Sequence, residues 1–295
     1  MAALSRFPHE RAWAYVFAAP PLLGFLVFGL GPMIASLVLS FTRYDVLTPP
    51  EMIGLENYRR LFTEDFFAGR TLLNSAFYLL GLPIGIAVAL SVAMLLDRAT
   101  RFRAVFRTVY FIPAVCSIVA LALLWKWIYR ADYGLLNTML SSLGVDEPPA
   151  WLSDRRLVKP SLIVMGIWTN LGYDVVVLLA ALKTVPRHLL EAAELDGANA
   201  WQRFRHVTFP AISPTLFFVS VTGTIATLQS FDQVWVMTRG GPAYASATYM
   251  LYIYVTGFQY FRMGYACAMA WLLGVIVLVV TWAQFRVAKL WVVEP

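Results

Sequence analysis

Residues 71–96 read TLLNSAFYLLGLPIGIAVALSVAMLL, without a single Asp, Glu, Lys or Arg. A helix needs about 20 apolar residues to cross the hydrocarbon core of a bilayer, and this run exceeds that length. Four more uncharged runs of similar kind follow from the same count: Ala12–Thr42, Thr108–Trp125, Ala211–Phe231 and Met263–Phe285. A sixth, Ser161–Leu182, carries one charge, Asp174. The pattern predicts an all-α, polytopic membrane bundle of six transmembrane helices.

Composition points the same way. Of the 295 residues 60% are apolar and only 14% charged. Soluble domains run near 45–50% and about 25%, and a chain of this size has too little interior to hide the excess. Disorder is excluded by the same imbalance. The net charge of +6 comes without a basic block or aromatic–basic interleaving, so it points to positive charge flanking membrane spans rather than to nucleic acid. Cys116 and Cys267 lie inside apolar runs, far from any histidine at ligand spacing. They are expected to be small buried apolar side chains, not a disulfide or a metal site.

Some runs carry complications. The first contains Pro20, Pro21 and Pro32 and is expected to be kinked or irregular at its ends; it is about twice the length of a signal-peptide core, so it reads as a retained span. Ala243–Phe261 is uncharged but holds Tyr244, Tyr249, Tyr252, Tyr254 and Tyr260. Tyrosine prefers the headgroup level, so this segment is expected to be an interfacial helix, with a seventh span as the other reading. Gly81-Leu82-Pro83-Ile84-Gly85 has GxxxG spacing with a proline inside it. Arg98, Arg101, Arg103 and Arg107, crowded into one short loop, place that loop and both termini in the cytoplasm. The expected division is 1–70 as first span and outer loop, 71–285 as permeation core, and 286–295 as cytoplasmic tail.

Between the fourth and fifth spans lies Val185–Pro210, VPRHLLEAAELDGANAWQRFRHVTFP. Its charges forbid a bilayer crossing, yet it is not turn-like. Helix formers fill His188–Leu195 after Pro186, a good first-turn residue, and Gly197 supplies a helix stop. Asn199 with Gln202 forms a capping-box pattern that opens a second helix, on which Trp201, Phe204 and Val207 or Thr208 share a face until Pro210 ends it. A helix–turn–helix with small residues at its bend has the attributes of a docking element.

These residues resemble a known family. Glu191-Ala192-Ala193-Glu194-Leu195-Asp196-Gly197-Ala198, with Phe204, Pro210 and Pro214, is similar to the EAA loop of binding-protein-dependent ABC importer permeases. Phe209 stands before Pro210 where the family more often has Leu. The likeness extends along the chain, through Gly54-Leu55-Glu56-Asn57-Tyr58, Phe106-Arg107-Thr108 with Ile112-Pro113, and Tyr133-Gly134-Leu135-Leu136-Asn137. It continues in Phe231-Asp232 with Thr238, Gly240, Gly241 and Pro242, and in Tyr252-Ile253-Tyr254 before Met263-Gly264-Tyr265-Ala266. Together they resemble the carbohydrate-uptake branch, the first permease of maltose-type and glycerol-3-phosphate-type systems.

The resemblance implies a division of labour. Glu191, Ala192, Ala193, Asp196 and Gly197 would contact a cytoplasmic ATPase, with loop 186–210 as the coupling element. Partners would be a second permease subunit, two ATPase subunits or domains, an extracytoplasmic substrate-binding protein, and membrane lipid; ATP and Mg would be bound by the ATPase, and no cofactor by this chain. The solute would be a sugar, oligosaccharide or glycerol-phosphate-like molecule.

The residues themselves add two points. The sequence holds no GxxxxGK[ST], HExxH or GxSxG pattern, so no catalytic residue is expected. Polar groups inside spans mark pathways or interhelical hydrogen bonds. Asn170, Tyr173 and Asp174 in the fourth span, with Thr227, Gln229 and Ser230 at the end of the fifth, are the expected substrate path, near the aromatic Trp168 and Phe231 and the acidic Asp232. The alternative is an ion-coupled secondary transporter using Asp174, which leaves the ordered hairpin without a purpose.

Overall fold

The computed structural model describes residues 8–98 and 110–293. Most of the arginine-rich loop expected in the cytoplasm, including Arg101, Arg103, Phe106, Arg107 and Thr108, lies outside the described residues. The helices are α1 (Pro8–Phe25), α2 (Gly31–Ser40), α3 (Glu56–Thr63), α4 (Phe66–Tyr78), α5 (Gly81–Arg98), α6 (Ile118–Ile128) and α7 (Leu135–Ser142). They continue with α8 (Val158–Thr184), α9 (Arg187–Leu195), α10 (Ala200–Arg203), α11 (Phe209–Leu228), α12 (Asp232–Met237), α13 (Tyr249–Tyr254) and α14 (Met263–Ala288). A two-residue hairpin, β1 (Thr42–Arg43) against β2 (Glu51–Met52), is antiparallel with Thr42 opposite Met52.

Among the described residues five helical stretches are long and apolar enough to cross a membrane: Tyr15–Ser40, Phe66–Asp97, Val158–Thr184, Ala200–Leu228 and Met263–Ala288. The sixth expected span is broken. Residues 110–115 are helical, the backbone opens at Cys116 and Ser117, and α6 follows. Irregular backbone at membrane depth is tolerated only where it is buried in protein or faces a water-filled space, and Cys116 lines the cavity described below. Cys116 is therefore exposed, not buried as its apolar neighbours suggest, while Cys267 is half-buried; both are free thiols.

Of the prolines that sit inside spans, Pro32 and Pro210 are accommodated by the same device. A π-helical turn, Leu26–Leu30, precedes Pro32, and Gly31 N–H reaches the Leu26 carbonyl. A second, Phe204–Thr208, precedes Pro210, and Phe209 N–H reaches the Phe204 carbonyl. The widened turn shifts the hydrogen-bond register just ahead of a residue that has no N–H and would crowd the preceding turn. Pro210 thus does not terminate the second helix of the hairpin. The helix passes through it into α11.

The chain divides into two compact units. The first joins residues up to Glu64 with Ile253–Leu272. In it the buried Asn57 donates to the Ser40 and Thr42 carbonyls, both at 2.8 Å, pinning α3 to the end of α2. Trp271 Nε1 donates to Ser36 Oγ at 3.2 Å.

The second unit, Asp65–Tyr252 with Leu273–Pro295, holds the main core. Ala89 and Ala93 of α5, Leu178 of α8 and Ile212 of α11 are fully excluded from the surface and pack in one cluster with Val219. Small residues set the helix spacing. A Cβ on Gly81 would stand 2.7 Å from Ile163, and one on Gly85 3.5 Å from Ile167. The GxxxG face of α5 is therefore the seam against α8, and Pro83 within it does no harm. Further along, Gln284 Nε2 donates to Thr224 Oγ1 at 2.8 Å, joining α14 to α11.

The tyrosine-rich segment departs from expectation. In place of an interfacial helix over Ala243–Phe261, the structure has α13 and a π-helical turn, Val255–Gln259, too short together to span a bilayer. Ala245, Ser246, Ala247, Thr248, Tyr249 and Leu251 are buried in protein. The reason is a set of buried hydrogen bonds. Asn74 Nδ2 donates to the Tyr244 and Ala247 carbonyls at 3.0 Å, Tyr78 Oη donates to the Ser246 carbonyl at 2.9 Å, and Tyr249 N–H donates to Ser75 Oγ at 2.9 Å.

Candidate functional site

A cavity of about 650 Å³ opens in the second unit, walled by α5, the broken helix around Cys116, α8, α11 and the start of α12. Asn170, Tyr173, Asp174, Thr227, Gln229 and Ser230 all line it, so the structure brings together the six residues singled out from two separate spans. Asn170, Tyr173 and Asp174 lie on successive turns of α8. Thr227, Gln229 and Ser230 lie where α11 ends, and Phe231, Asp232 and Gln233 carry the wall into α12.

The local folding explains the placement. α11 stops at Leu228, and Ser230 N–H turns back to the Thr227 carbonyl at 3.2 Å. The buried Thr248 donates to the Ser230 carbonyl at 2.8 Å, fixing this turn from the loop side. Phe231 stacks on Trp235 at 6.0 Å. Behind the cavity lining Trp168 of α8 meets Trp125 of α6 edge-on at 5.6 Å, neither ring being among the residues that line it. Asn170 Nδ2 donates to the Gly166 carbonyl of its own helix at 2.8 Å, which leaves its carbonyl oxygen as the free end. A wall of hydroxyls, amides and carboxylates edged by aromatic rings can hydrogen-bond a polyhydroxylated solute and pack against its apolar face. Sequence reasoning missed Cys116, Thr222 and Tyr78 as lining residues. An uncharged run gives no sign of a backbone break.

The second candidate region is the hairpin. α9 ends in a complete Schellman motif: Gly197 has φ +80°, Gly197 N–H bonds to Glu194 O at 3.1 Å, and Ala198 N–H to Ala193 O at 2.9 Å. The capping box then opens α10, with Gln202 N–H donating to Asn199 Oδ1 at 2.9 Å and Asn199 N–H to Gln202 Oε1 at 2.8 Å. Glu191, Ala192, Asp196 and Gly197 are exposed and Ala193 is half-buried. Leu195 is 89% exposed and Trp201 64%, so the hairpin also presents apolar side chains that the motif alone does not single out. His206 Nδ1 lies 3.0 Å from the Gln202 carbonyl, a local backbone contact. Among the described residues no group of His, Cys, Asp and Glu is placed to hold a metal ion.

With this geometry in view, comparison with known proteins is specific. Residues 81–291 match the family model described as binding-protein-dependent transport system inner membrane component. A probable ABC transporter permease protein, YesP of Bacillus subtilis, is 38% identical over 94% of this chain and 91% of its own length. The lactose transport system permease protein LacF of Rhizobium radiobacter is 34% identical over 97% and 96%. The arabinooligosaccharides transport system permease protein AraP of Bacillus subtilis is 30% identical over 96% and 90%. Among solved structures, a chain of a bacterial ABC transporter involved in the import of the acidic polysaccharide alginate superimposes with a TM-score of 0.84 at 26% identity, over 95% of this chain and 96% of that one. A family match over most of the chain, full-length relatives and a shared fold agree: this protein belongs to the binding-protein-dependent transport system inner membrane components, the permease subunits of ABC importers.

Proposed function

We propose that this chain is one of two permease subunits of an ATP-driven importer for a sugar or oligosaccharide, delivered by an extracytoplasmic binding protein. The names of the lactose and arabino-oligosaccharide relatives support the solute class. A glycerol-phosphate-like solute is the other class that the family likeness implies. One of two ATPase subunits or domains docks on the exposed hairpin 186–210, on the side that also holds both termini, and the pair supplies the ATP and Mg chemistry. This chain binds, orients and moves.

One observation carries the reading. Ala200–Leu228 is a single helical stretch, about 43 Å long at 1.5 Å per residue. Its first turn belongs to the hairpin, and just past its far end Gln229 and Ser230 line the cavity. Movement of the hairpin by a docked ATPase is thereby delivered to the cavity wall through one continuous helical stretch. Glu191 offers a carboxylate to a basic partner, while Ala192 and Ala193 let a groove close around the helix.

Purification from the native membrane in gentle detergent tests the assembly. A second permease and an ATPase should remain bound, and the reconstituted complex should take up labelled oligosaccharide only with ATP and binding protein. A stable lone chain or homodimer without ATPase would overturn the reading.

A further inference from the structure

Among the described residues, the 26 that line the cavity include Asp174 and Asp232 and not one Lys, Arg or His. Asp174 is half-buried in α8, flanked on the wall by Tyr173 and Asn170, which offer hydrogen bonds but no positive charge. The chain carries 23 Lys and Arg against 17 Asp and Glu, so this wall runs against the overall balance. Among the described residues, cations on α6, on α8 and just beyond α12 are engaged with other groups. Lys126 Nζ points to the Val236 carbonyl at 3.4 Å, Lys159 Nζ donates to Asn74 Oδ1 at 3.1 Å, and the Arg239 guanidinium sits 5.5 Å over the Trp235 ring.

A low-dielectric cleft lined by one sign of charge concentrates counter-charged solutes and repels like-charged ones, by factors of about 10 or more. From this we infer that the cavity is charge-selective: it passes neutral or cationic solutes, such as uncharged or amino sugars, and excludes anionic ones such as uronates and sugar or glycerol phosphates. This rests on the cavity being the solute path, as proposed above, and it narrows that reading to one side of its substrate class. Asp174 is the specificity-determining residue. It lies within the span, whereas Asp232 opens α12 after the turn, nearer the end of the wall.

Cys116 provides a probe on the same wall, since its thiol is exposed there. In native membrane vesicles, with Cys267 replaced by Ala and Cys116 as this chain's reporter, the rates of modification by a trimethylammonium-bearing and a sulfonate-bearing methanethiosulfonate reagent are compared. Each rate is normalised to that of a free thiol. The cationic reagent should react roughly tenfold faster than the anionic one, and Asp174→Asn should bring the ratio most of the way to unity. Inhibition by sugar phosphates and uronates should appear in Asp174→Asn, measured against that variant's own uninhibited uptake. Equal normalised rates in the unsubstituted wall, or a faster sulfonate, would overturn the charge selectivity while leaving the importer reading untouched. No reaction with either reagent would overturn both the inference and the cavity as an aqueous path. Neither rate depends on an ATPase, so failure of the assembly reading shows separately.

Discussion

Arg203 Nη1 lies 2.7 Å from Glu194 Oε2, an ion pair that ties the first helix of the 186–210 hairpin to the second across the Gly197 bend. Both carboxylate and bend belong to the segment that identifies the family, but the pair acts within the chain. Glu194 is largely exposed and Arg203 is mostly covered, and such surface pairs contribute at most about 1 kcal/mol. Arg203→Ala should therefore leave insertion and thermal stability nearly unchanged while lowering sugar-stimulated ATP hydrolysis. A large loss of stability would show that the pair holds the fold rather than the angle of the hairpin.

Gly197 is held to a stricter condition. At φ +80° a β-branched residue is strained by about 1–3 kcal/mol, so Gly197→Val should unwind the Schellman turn. Expected is normal insertion with ATP hydrolysis uncoupled from uptake. The check is the ratio of transport to hydrolysis in vesicles, and a normal ratio would remove the bend from the coupling path.

The seam between α5 and α8 makes a paired prediction. Gly85→Ala meets only ordinary contact with Ile167, and in a helix the change favours the fold by up to about 1 kcal/mol. Gly81→Ala must displace Ile163 and should destabilise by about 1–3 kcal/mol. Melting of the two variants in nanodiscs should move in opposite directions. Equal shifts would mean that the helices are not seated on these glycines.

Asn74 anchors the loop before α13 through two backbone carbonyls and accepts from Lys159 Nζ at 3.1 Å. Asn74→Leu strands buried acceptors, at a cost of roughly 2 kcal/mol or more. Hydrogen exchange over residues 240–250 should accelerate in this variant and remain slow over α11. Unchanged exchange would show that the loop is held by its own contacts.

These features differ in how far the sequence discloses them. The spans were readable because an uncharged run of membrane length has one inexpensive environment. The hairpin was readable because its chemistry is local: Gly197, Asn199 and Gln202 act within three or four residues of themselves. That six polar residues from two spans line one cavity was readable because polar groups are expensive at that depth. Other features depend on what stands opposite. Pro210 looks like a stop until Phe204–Thr208 widens ahead of it. Cys116 looks buried until the backbone opens beside a cavity. The stretch around Tyr244 and Tyr249 looks interfacial until Asn74, Ser75 and Tyr78, about 170 residues earlier in the chain, bond to its backbone. Local pattern carries local structure, and these three outcomes are tertiary.

The central claim is that ATP, acting through the hairpin, moves a solute past the cavity wall. Uptake of a labelled neutral oligosaccharide into vesicles holding the assembled complex and its binding protein tests it most directly, with ATP present or absent and with the proton and sodium gradients intact or collapsed. The account predicts uptake that requires ATP, persists when both gradients are collapsed, and is lost in Gly197→Val. Uptake that proceeds without ATP, stops when a gradient is collapsed and is abolished by Asp174→Asn would contradict it and identify an ion-coupled transporter instead.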